Sequence, residues 1–314
     1  MGRVWGSRLF AVGVLAVVLS VLPVLLPGTY TLDVLTNVGI AAIVCVGLNL
    51  LFGYAGQISL GHAGFFGIGA YASAILVTDR DWPAPLALLA GMALSGLLAF
   101  AVARPILRLR GHYLAMATLG LGIIVSIVLN QEVGLTGGPD GMPVDPFTVA
   151  GHTVEGPLAW YAVVAVSLLL VTWLSLNLID SPVGRALRAV HGAEIAARTC
   201  GVDTASYKVF VFVLSAVIAS YAGSLYAHFT GWLTPGEAGF LRSIQFVTMV
   251  VLGGMASTFG AIAGAALLGA LPQFLTVFHD YEHVMLGLAM MATMILLPRG
   301  LLPSLFALFG RRVW

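Results

Sequence analysis

Apolar segments of membrane-spanning length recur along the whole chain, and this feature limits most strongly what the chain can fold into. About 20 consecutive apolar residues are needed for a helix to cross the hydrocarbon core of a bilayer. Because lipid cannot hydrogen-bond to backbone N–H and C=O groups, such segments must satisfy these groups internally and are therefore helical. The apolar segments lie at residues 9–26, 33–52, 62–78, 84–103, 112–130, 158–178, 207–228, 244–257, 259–277 and 283–298. The sequence predicts an all-α integral membrane protein with about ten transmembrane helices in a single domain, residues 1–314.

The scarcity of charged residues excludes a soluble globular protein. Charged residues make up 9% of the chain and hydrophobic residues 60%, whereas a soluble domain carries about 25% charged residues to cover its surface. The first apolar segment follows Arg3 and Arg8 and resembles a secretion signal. It is longer than the apolar region of a signal peptide, and no small-residue cleavage site follows it. We therefore interpret this segment as the first transmembrane helix.

The charged residues are distributed unequally between the two sides of the predicted helices. If the N-terminus is cytoplasmic and the segments alternate, 12 of the 14 Lys and Arg residues fall on the cytoplasmic side, and only Arg80 and Arg242 lie outside. Ten of the 13 acidic residues then fall on the outer side. An excess of Lys and Arg in cytoplasmic loops is typical of membrane proteins. The distribution supports the count of ten helices and predicts that both termini are cytoplasmic.

Two connections are long enough to have a structure of their own. The outer loop 131–157 contains the turn-rich sequence TGGPDGMP. The inner loop 179–206 is rich in Ala, Leu, Arg and Glu, which favour a helix between Gly184 and Thr199. Helical spacing places four side chains of this helix on one face: Leu187, Val190, Glu194 and Ala197. The pattern predicts a short amphipathic helix on the cytoplasmic side, connecting two transmembrane helices.

Glycine is concentrated in two regions. The glycines between residues 53 and 69 are too dense for an ordinary helix, since each costs about 1 kcal/mol relative to Ala. They predict a helix break, a close crossing or a passage lined by backbone. Gly260 and Gly264 form a G-x-x-x-G pair that Gly269 extends, a pattern typical of close helix packing in membranes. The neighbouring segment 244–257 is short for a complete span and is interpreted as a span or a half-helix.

The chain lacks the motifs of an enzyme. A nucleotide-binding loop needs Gly-Lys-Ser or Gly-Lys-Thr, and the single lysine, Lys208, has no such neighbours. Cys45 and Cys200 fit no disulfide or metal-site spacing, and no catalytic arrangement or metal site is predicted. His62 and His112 are interpreted as polar anchors at the membrane interface.

Ionisable residues are absent from the middle of the predicted spans. Proton-coupled carriers usually bury Asp, Glu or His as relays, so proton coupling is disfavoured. Sodium coupling through backbone carbonyls of broken helices stays open. The simplest energy source is a partner that acts through the inner loop.

Several motifs together resemble one transporter family. They are NLLFGYAGQISLGHAGFFGIGAYA at 49–72, RLRGHYLAMATLGLG at 108–122, LTGGPDGMP at 135–143, GRALRAVHGAEIAARTCGV at 184–202, AGSLYA at 222–227, VVLGGMASTFGAIAGA at 250–265 and PRGLLP at 298–303. In order and spacing they resemble the permease subunits of branched-chain amino acid ABC importers over nearly the whole chain. The second and third motifs resemble the second of the two permeases, of the Liv type.

The resemblance implies a set of partners. Such a permease forms a heterodimer with a sister permease in the bacterial inner (cytoplasmic) membrane. Two ATP-binding cassette subunits use ATP beneath the pair, and a periplasmic binding protein delivers the substrate. The chain itself is expected to bind no cofactor and no nucleic acid, and membrane lipid surrounds it. The loop 131–157 then becomes periplasmic.

The inner loop 179–206 resembles the segment through which ABC importer permeases contact their ATPases. The resemblance assigns coupling to Gly184, Arg185, Arg188, Glu194, Ala196, Ala197 and Gly201. A short helix between spans can sit in a groove of an ATPase and move with it as a rigid body. The alternative interpretation is a surface helix that lies on anionic lipid through its arginines.

Polar residues beside the glycine-rich break are candidates for the lining of the translocation path, which we expect at the interface with the sister permease. They are Asn49, Gln57, Ser59, His62 and Tyr71. Members of the family often carry an acidic residue where this chain has Ile123. The expected substrates are branched-chain amino acids or related small solutes, with urea or aromatic acids as the alternative within the family. A stand-alone secondary transporter or channel is the alternative from another class.

Overall fold

Helices form nearly all of the regular structure in the computed structural model of this chain. The structure describes residues 2–25, 28–109, 111–149 and 151–275, together with residues 284, 287, 288 and 291. The helices are α1 Gly2–Leu25, α2 Thr29–Asn49, α3 His62–Thr78, α4 Ala84–Ile106, α5 His112–Gln131, α6 Val133–Thr136, α7 Pro157–Asp180, α8 Pro182–Gly192, α9 Glu194–Thr199, α10 Thr204–Thr230, α11 Phe240–Gly253 and α12 Thr258–Leu275. A π-helix, Leu50–Tyr54, continues α2, and 3-10 turns occupy Gly138–Asp140 and Pro235–Ala238. The described strands are β1 Met142–Pro143, β2 Thr148–Val149, β3 His152–Thr153 and β4 Trp232–Leu233.

The described helices follow the predicted apolar segments. Within the described residues, five helices are long and apolar enough to cross a bilayer: Thr29–Tyr54, Ala84–Ile106, His112–Gln131, Pro157–Asp180 and Thr204–Thr230. Four apolar helices are shorter: Phe10–Leu25, His62–Thr78, Phe240–Gly253 and Thr258–Leu271. The last predicted segment, 283–298, lies outside the described residues except for four positions. The described part of the chain is therefore a helical, multi-pass arrangement.

Helix α2 lies in the centre of the bundle and α5 at its edge. In the most apolar part of Thr29–Tyr54, 78% of the residues are buried, against 22% in His112–Gln131. Helix α2 packs against α7, α10, α11 and α12, and α10 packs against α3 and α4. Leu97, Ile124 and Val166, on α4, α5 and α7, are exposed. Such a density of exposed apolar side chains marks a surface that lipid or another protein covers.

Helices α3 and α10 cross closely because glycines lie at their contact. A side chain at Gly69 would collide with the backbone of Ser220, and one at Gly223 with the carbonyl of Phe66. Small residues at such crossings let backbones approach closely in membrane proteins. The Phe66 ring then packs against Phe246 of α11, with ring centroids 5.6 Å apart. The crossing thus links three helices at the core.

The connections between helices collect at two opposite ends of the bundle. At one end, the segment between α2 and α3 meets residues 254–257 and helix α8. At the other end, β1 pairs antiparallel with β4, and β2 and β3 form a hairpin. The Asp145 N–H donates to Thr78 Oγ1 at 3.1 Å, which ties the outer loop to the end of α3. The loop 131–157 is therefore packed onto the bundle and contributes Met142, Val144 and Phe147 to the buried interior.

The segment that was predicted as one helix from Gly184 to Thr199 consists of two. Helix α8 ends at Gly192, Ala193 is extended (φ −157°, ψ 94°), and α9 begins at Glu194. The Gly at the end of α8 lowers the helix propensity there, and an acidic residue is favourable in the first turn of the next helix. The prediction of a single helix is wrong for this reason.

We expect Gly223→Ala to lower the stability of the folded chain by about 1–3 kcal/mol, because its methyl group would overlap the carbonyl of Phe66. Gly120→Ala is the matched control, since nothing lies within 4 Å of a side chain at that helical position. Thermal unfolding of both variants in detergent would test this. Equal melting temperatures would mean that the α3–α10 crossing can relax.

Candidate functional site

Two helix breaks face each other at one end of the bundle. The π-helical turn that follows α2 brings the Tyr54 hydroxyl to the Ala256 carbonyl, to which it donates at 2.6 Å. The Ala256 N–H donates to Asn49 Oδ1 at 3.0 Å. Gly53 lies against the Ala256 backbone and leaves no space for a side chain. The break after α2 and the break between α11 and α12 are thus joined by direct hydrogen bonds.

The break between α11 and α12 has an unusual backbone. Ala256 has φ 61° and Gly254 has φ 111°. A positive φ is uncommon for a residue other than glycine, and such conformations persist only where surrounding contacts hold them. The hydrogen bonds to Asn49 and Tyr54 supply those contacts.

His62, the first residue of α3, is held inside the bundle by two hydroxyl groups. Its Nδ1 lies 2.8 Å from Ser59 Oγ and its Nε2 lies 2.8 Å from Ser215 Oγ. Phe65 and Phe212 pack edge-to-face against the imidazole. The ring is buried, with 1% of the residue exposed. His62 is therefore an internal residue and not the interfacial anchor that its place in the sequence predicted.

Hydroxyl groups from neighbouring helices also satisfy the backbone of the break. The Leu60 N–H donates to Thr118 Oγ1 of α5 at 3.0 Å, and the Ala63 N–H donates to Ser243 Oγ of α11 at 3.1 Å. Gly61 lies directly on the α5 backbone. Irregular backbone at membrane depth needs such protein partners because lipid provides none.

Gln57 and Asn49 carry unpaired amide groups in this region. Gln57 is 3% exposed, and among the described residues neither its nitrogen nor its oxygen has a hydrogen-bond partner. The Asn49 nitrogen is likewise unpaired within the described part of the chain. Leaving a buried polar group unpaired costs about 1–3 kcal/mol, and each such group in a folded protein calls for an explanation. The two residues therefore place unpaired polar groups inside the bundle beside the break.

Four of the five candidate path residues therefore cluster at the break, and one does not. Asn49, Gln57, Ser59 and His62 lie within or beside it, whereas Tyr71 lies nine residues along α3, about 13 Å away by helix geometry. The Tyr71 hydroxyl is 3.5 Å from the Leu233 carbonyl of β4, at the opposite end. All five side chains are buried within this chain.

The inner loop begins with a capped helix that packs on the bundle. Ser181 Oγ accepts hydrogen bonds from the N–H groups of Val183 and Gly184, an arrangement typical of helix N-caps. A side chain at Gly184 would collide with the Ile179 carbonyl. Leu187 is buried, and α8 contacts α7, α10 and the π-helical turn.

An ion pair and a hydrogen bond attach helix α9 to the start of α10. Glu194 Oε2 lies 2.7 Å from Lys208 Nζ, and Glu194 Oε1 lies 3.3 Å from Arg198 Nη2. Arg198 also donates to Thr204 Oγ1 at 3.3 Å. Gly201 follows with φ 83°, a left-handed conformation that favours glycine.

The predicted coupling residues divide between the interior and the surface. Gly184 and Ala197 are buried, and Glu194 is half-buried between its partners. The exposed ones are Arg185, Arg188, Ala196 and Gly201. Beside them Ile195, which the sequence reasoning did not select, is 73% exposed. The outer surface of α8 and α9 thus combines cationic side chains with one large exposed apolar side chain, Ile195.

The glycines of α12 lie at helix contacts. Side chains at Gly260 and Gly264 would collide with α11 backbone at Gly253 and Met249, and one at Gly269 would meet Val38 of α2. These contacts position the second break against the first.

The sequence analysis did not identify the residues on other helices that form hydrogen bonds at the break. Thr118 and Ser215 lie within apolar segments, and Ser243 lies just before one. No periodicity or spacing marked these three hydroxyl residues as partners of the break. Among the described residues, no group of three or more His, Cys, Asp or Glu side chains is placed to hold a metal ion.

Discontinuous helices within a bundle of apolar helices are typical of membrane transporters. Comparison of the sequence with known protein families shows which family this is. The model of the branched-chain amino acid transport system permease component matches residues 30–294. The chain therefore belongs to this family of transport permeases.

Individual relatives agree with this assignment. The high-affinity branched-chain amino acid transport system permease protein LivM of Salmonella typhimurium is 35% identical over 301 residues, covering 87% of this chain and 70% of LivM. LivM of Escherichia coli K12 is 34% identical over 325 residues, covering 95% of this chain and 75% of LivM. The permease LivH of the same Escherichia coli strain is 25% identical over 280 residues, covering 83% of this chain and 90% of LivH. No solved structure matches this chain.

We expect Ser215→Ala to destabilise the fold by about 1–3 kcal/mol, because it leaves one nitrogen of the buried His62 ring without a partner. Ser220→Ala is the matched control on the same helix, since Ser220 Oγ is buried and has no hydrogen-bond partner among the described residues. Thermal unfolding in detergent would compare the two. A Ser220→Ala effect as large as that of Ser215→Ala would contradict the role of the His62 hydrogen bond.

Proposed function

We propose that the chain is a LivM-type permease subunit of an ATP-binding-cassette importer and forms half of a pathway for branched-chain amino acids. The observation that carries this proposal is the 34–35% identity to the LivM proteins over 87–95% of this chain. The weaker likeness to LivH supports a sister permease of the same family as the second half. Two ATPase subunits that use ATP and a periplasmic binding protein complete the proposed assembly.

The proposed topology has ten spans with both termini cytoplasmic, in a bacterial inner membrane. The charge distribution supports it, because the connections that hold most of the Lys and Arg residues fall on one side. The gathering of alternate connections at opposite ends of the bundle supports it as well. By this topology the end that carries α8 and α9 faces the cytoplasm.

The helix pair α8–α9 is the proposed docking site for an ATPase subunit. Its exposed Ile195 and arginines would contact the partner, while the buried Leu187 and the Glu194–Lys208 pair fix the helices to the bundle. His191 of α8 lies against Gly56 in the break. Displacement of α8 would therefore move His191 against the backbone at Gly56. This contact supports coupling between ATP hydrolysis and the pathway.

The two hydrogen-bonded helix breaks are proposed to close the pathway on its cytoplasmic side. Asn49 and Tyr54 bind the backbone of Ala256 in the described conformation. Opening would break these bonds and expose the buried Asn49 and Gln57 amides to the passing solute. The remaining candidates Ser59, His62 and Tyr71 stay proposals for the same path.

We expect Ile195→Ser to reduce copurification of the ATPase subunit and substrate-stimulated ATP hydrolysis severalfold, because it removes an exposed apolar contact without altering the interior. Val133→Ser is the control for ATPase copurification, since it also replaces an exposed β-branched apolar side chain by serine, but in the outer loop. Glu194→Gln should also lower stimulation, through loss of the Lys208 and Arg198 pairs. Normal stimulation in assembled Ile195→Ser and Glu194→Gln complexes would refute docking through this surface.

We expect Gln57→Leu to keep or raise the thermal stability of the chain, since it replaces a buried, unpaired amide by an apolar side chain of similar size. If the amide contacts the solute in the open state, transport should fall at the same time. Radiolabelled leucine uptake and thermal unfolding of the same preparation would measure both. Unchanged uptake would remove Gln57 from the path.

The overall assignment can be tested by isolating the chain from native membranes and identifying its companions by mass spectrometry. A P-loop ATPase and a second permease are expected. The reconstituted complex should transport leucine, isoleucine and valine in preference to urea and aromatic acids. Preference for urea or an aromatic acid would place the chain in the same family with another substrate, and transport by the isolated chain would contradict the importer proposal.

A further inference from the structure

A basic cavity lies where α4 ends and α10 begins. Its volume is about 640 Å³, and Arg104, Arg108, Asp203 and Ser206 supply its polar lining. Phe100 and Phe210 supply part of its apolar lining. The cavity is at the end of the bundle that carries α8 and α9, since α9 leads directly into α10.

The charge of this cavity is positive on balance. Arg104 and Arg108 are exposed, and neither forms an ion pair with a carboxylate in the part of the chain that the structure describes. The Arg104 guanidinium lies 5.9 Å from the centre of the Phe100 ring. The carboxylate of Asp203 accepts hydrogen bonds from the N–H and the hydroxyl of Ser206, at 3.3 and 2.6 Å. Asp203 is thus engaged at the start of α10, while the two guanidinium groups are available to an anion.

An apolar groove adjoins the basic cavity. It has a volume of about 380 Å³ and lies between α4, α7 and α10. Met92, Leu174, Leu214 and Val217 are among its lining residues. Phe210 lines both the groove and the basic cavity, so the two spaces meet at this side chain.

The groove has the length of one leaflet. Along α10 it extends from Phe210 to Tyr221, which are eleven positions apart, or about 16 Å along the helix. Half of the hydrocarbon core of a bilayer measures about 15 Å. The cavity therefore lies at headgroup depth when the groove lies at acyl-chain depth.

We propose that the cavity and groove together bind one anionic phospholipid of the leaflet on the α8–α9 side. Its phosphate would lie between Arg104 and Arg108, and an acyl chain would lie along Leu214, Val217 and Tyr221. Basic pockets between transmembrane helices are suited to anionic headgroups, and an apolar groove of leaflet length is suited to an acyl chain. A free phosphate would occupy only the basic cavity and leave the apolar groove empty. An apolar surface of a second permease would fill the groove but would not require Arg104 and Arg108 at its end.

Native mass spectrometry of the purified, delipidated complex would test this proposal. Phosphatidylglycerol, phosphatidylcholine with the same acyl chains, and inorganic phosphate would be added separately. One phosphatidylglycerol should bind at least about tenfold more tightly than phosphatidylcholine. The double variant Arg104→Ala/Arg108→Ala should lose about tenfold or more of that affinity, because each arginine near the membrane surface contributes about fivefold. Arg104→Lys/Arg108→Lys should restore most of it, and Arg80→Ala at the opposite end should have no effect.

A second variant separates the acyl chain from the headgroup. Leu214→Trp fills the groove and should weaken phosphatidylglycerol binding severalfold, whereas Leu97→Trp, on an exposed surface of α4 outside the groove, should not. Unchanged binding in the double alanine variant would overturn the proposal. It would also be overturned if inorganic phosphate displaced the lipid while Leu214→Trp had no effect, or if Leu214→Cys crosslinked efficiently to a second permease. Leucine uptake is measured separately, so failure of the lipid site leaves the transport assignment intact.

Discussion

The lack of hydrogen-bonding partners in lipid governs this structure. A continuous helix satisfies its own backbone, so a helix break at membrane depth is tolerated only where protein surrounds it. The chain meets this condition between α2 and α3 with the hydroxyl groups of Thr118 and Ser243, which accept from the N–H groups of Leu60 and Ala63. Ser215 bonds the His62 side chain beside them. The chain meets the same condition between α11 and α12 with Asn49 and Tyr54. Buried polar side chains therefore gather where the helices are interrupted.

Close packing brings these interruptions together. Gly53 admits the backbone of Ala256, and Gly260 and Gly264 admit the backbone of α11. A packed interior does not deform continuously, so small displacements tend to produce discrete rearrangements. Helix α8 rests against the π-helical turn, so the surface proposed for ATPase docking and the proposed closure of the path are in direct mechanical contact. In a permease of this family, such a contact would let a partner subunit act on the path without binding the solute itself.

Much of the fold was predictable from local sequence. The limits of α3, predicted at 62–78, agree with the structure, and the predicted segments 84–103, 112–130 and 158–178 each lie within a few residues of the observed helix. Apolar length determines these limits. The glycine density at 53–69 predicted a helix break, a close crossing or a passage lined by backbone. The structure has a break before α3, whereas the later glycines lie in the regular helix α3, where Gly69 makes a close crossing with α10. The boundary between α8 and α9 was missed, because Ala193 is a good helix former and the one glycine before it, Gly192, lies among residues that favour a helix.

The sequence by itself determined that this chain is a helical membrane protein, which segments are helices and to which permease family it belongs, since apolar length and motif order are local properties. It also selected Asn49, Gln57, Ser59 and His62 as notable polar residues. Only the tertiary structure decided that these four meet at one break while Tyr71 lies elsewhere, and that His62 is bonded to Ser215, 153 positions away in the chain. It also decided that Arg104 and Phe210 border one cavity. Such contacts depend on how helices distant in sequence cross, and no local pattern encodes that geometry.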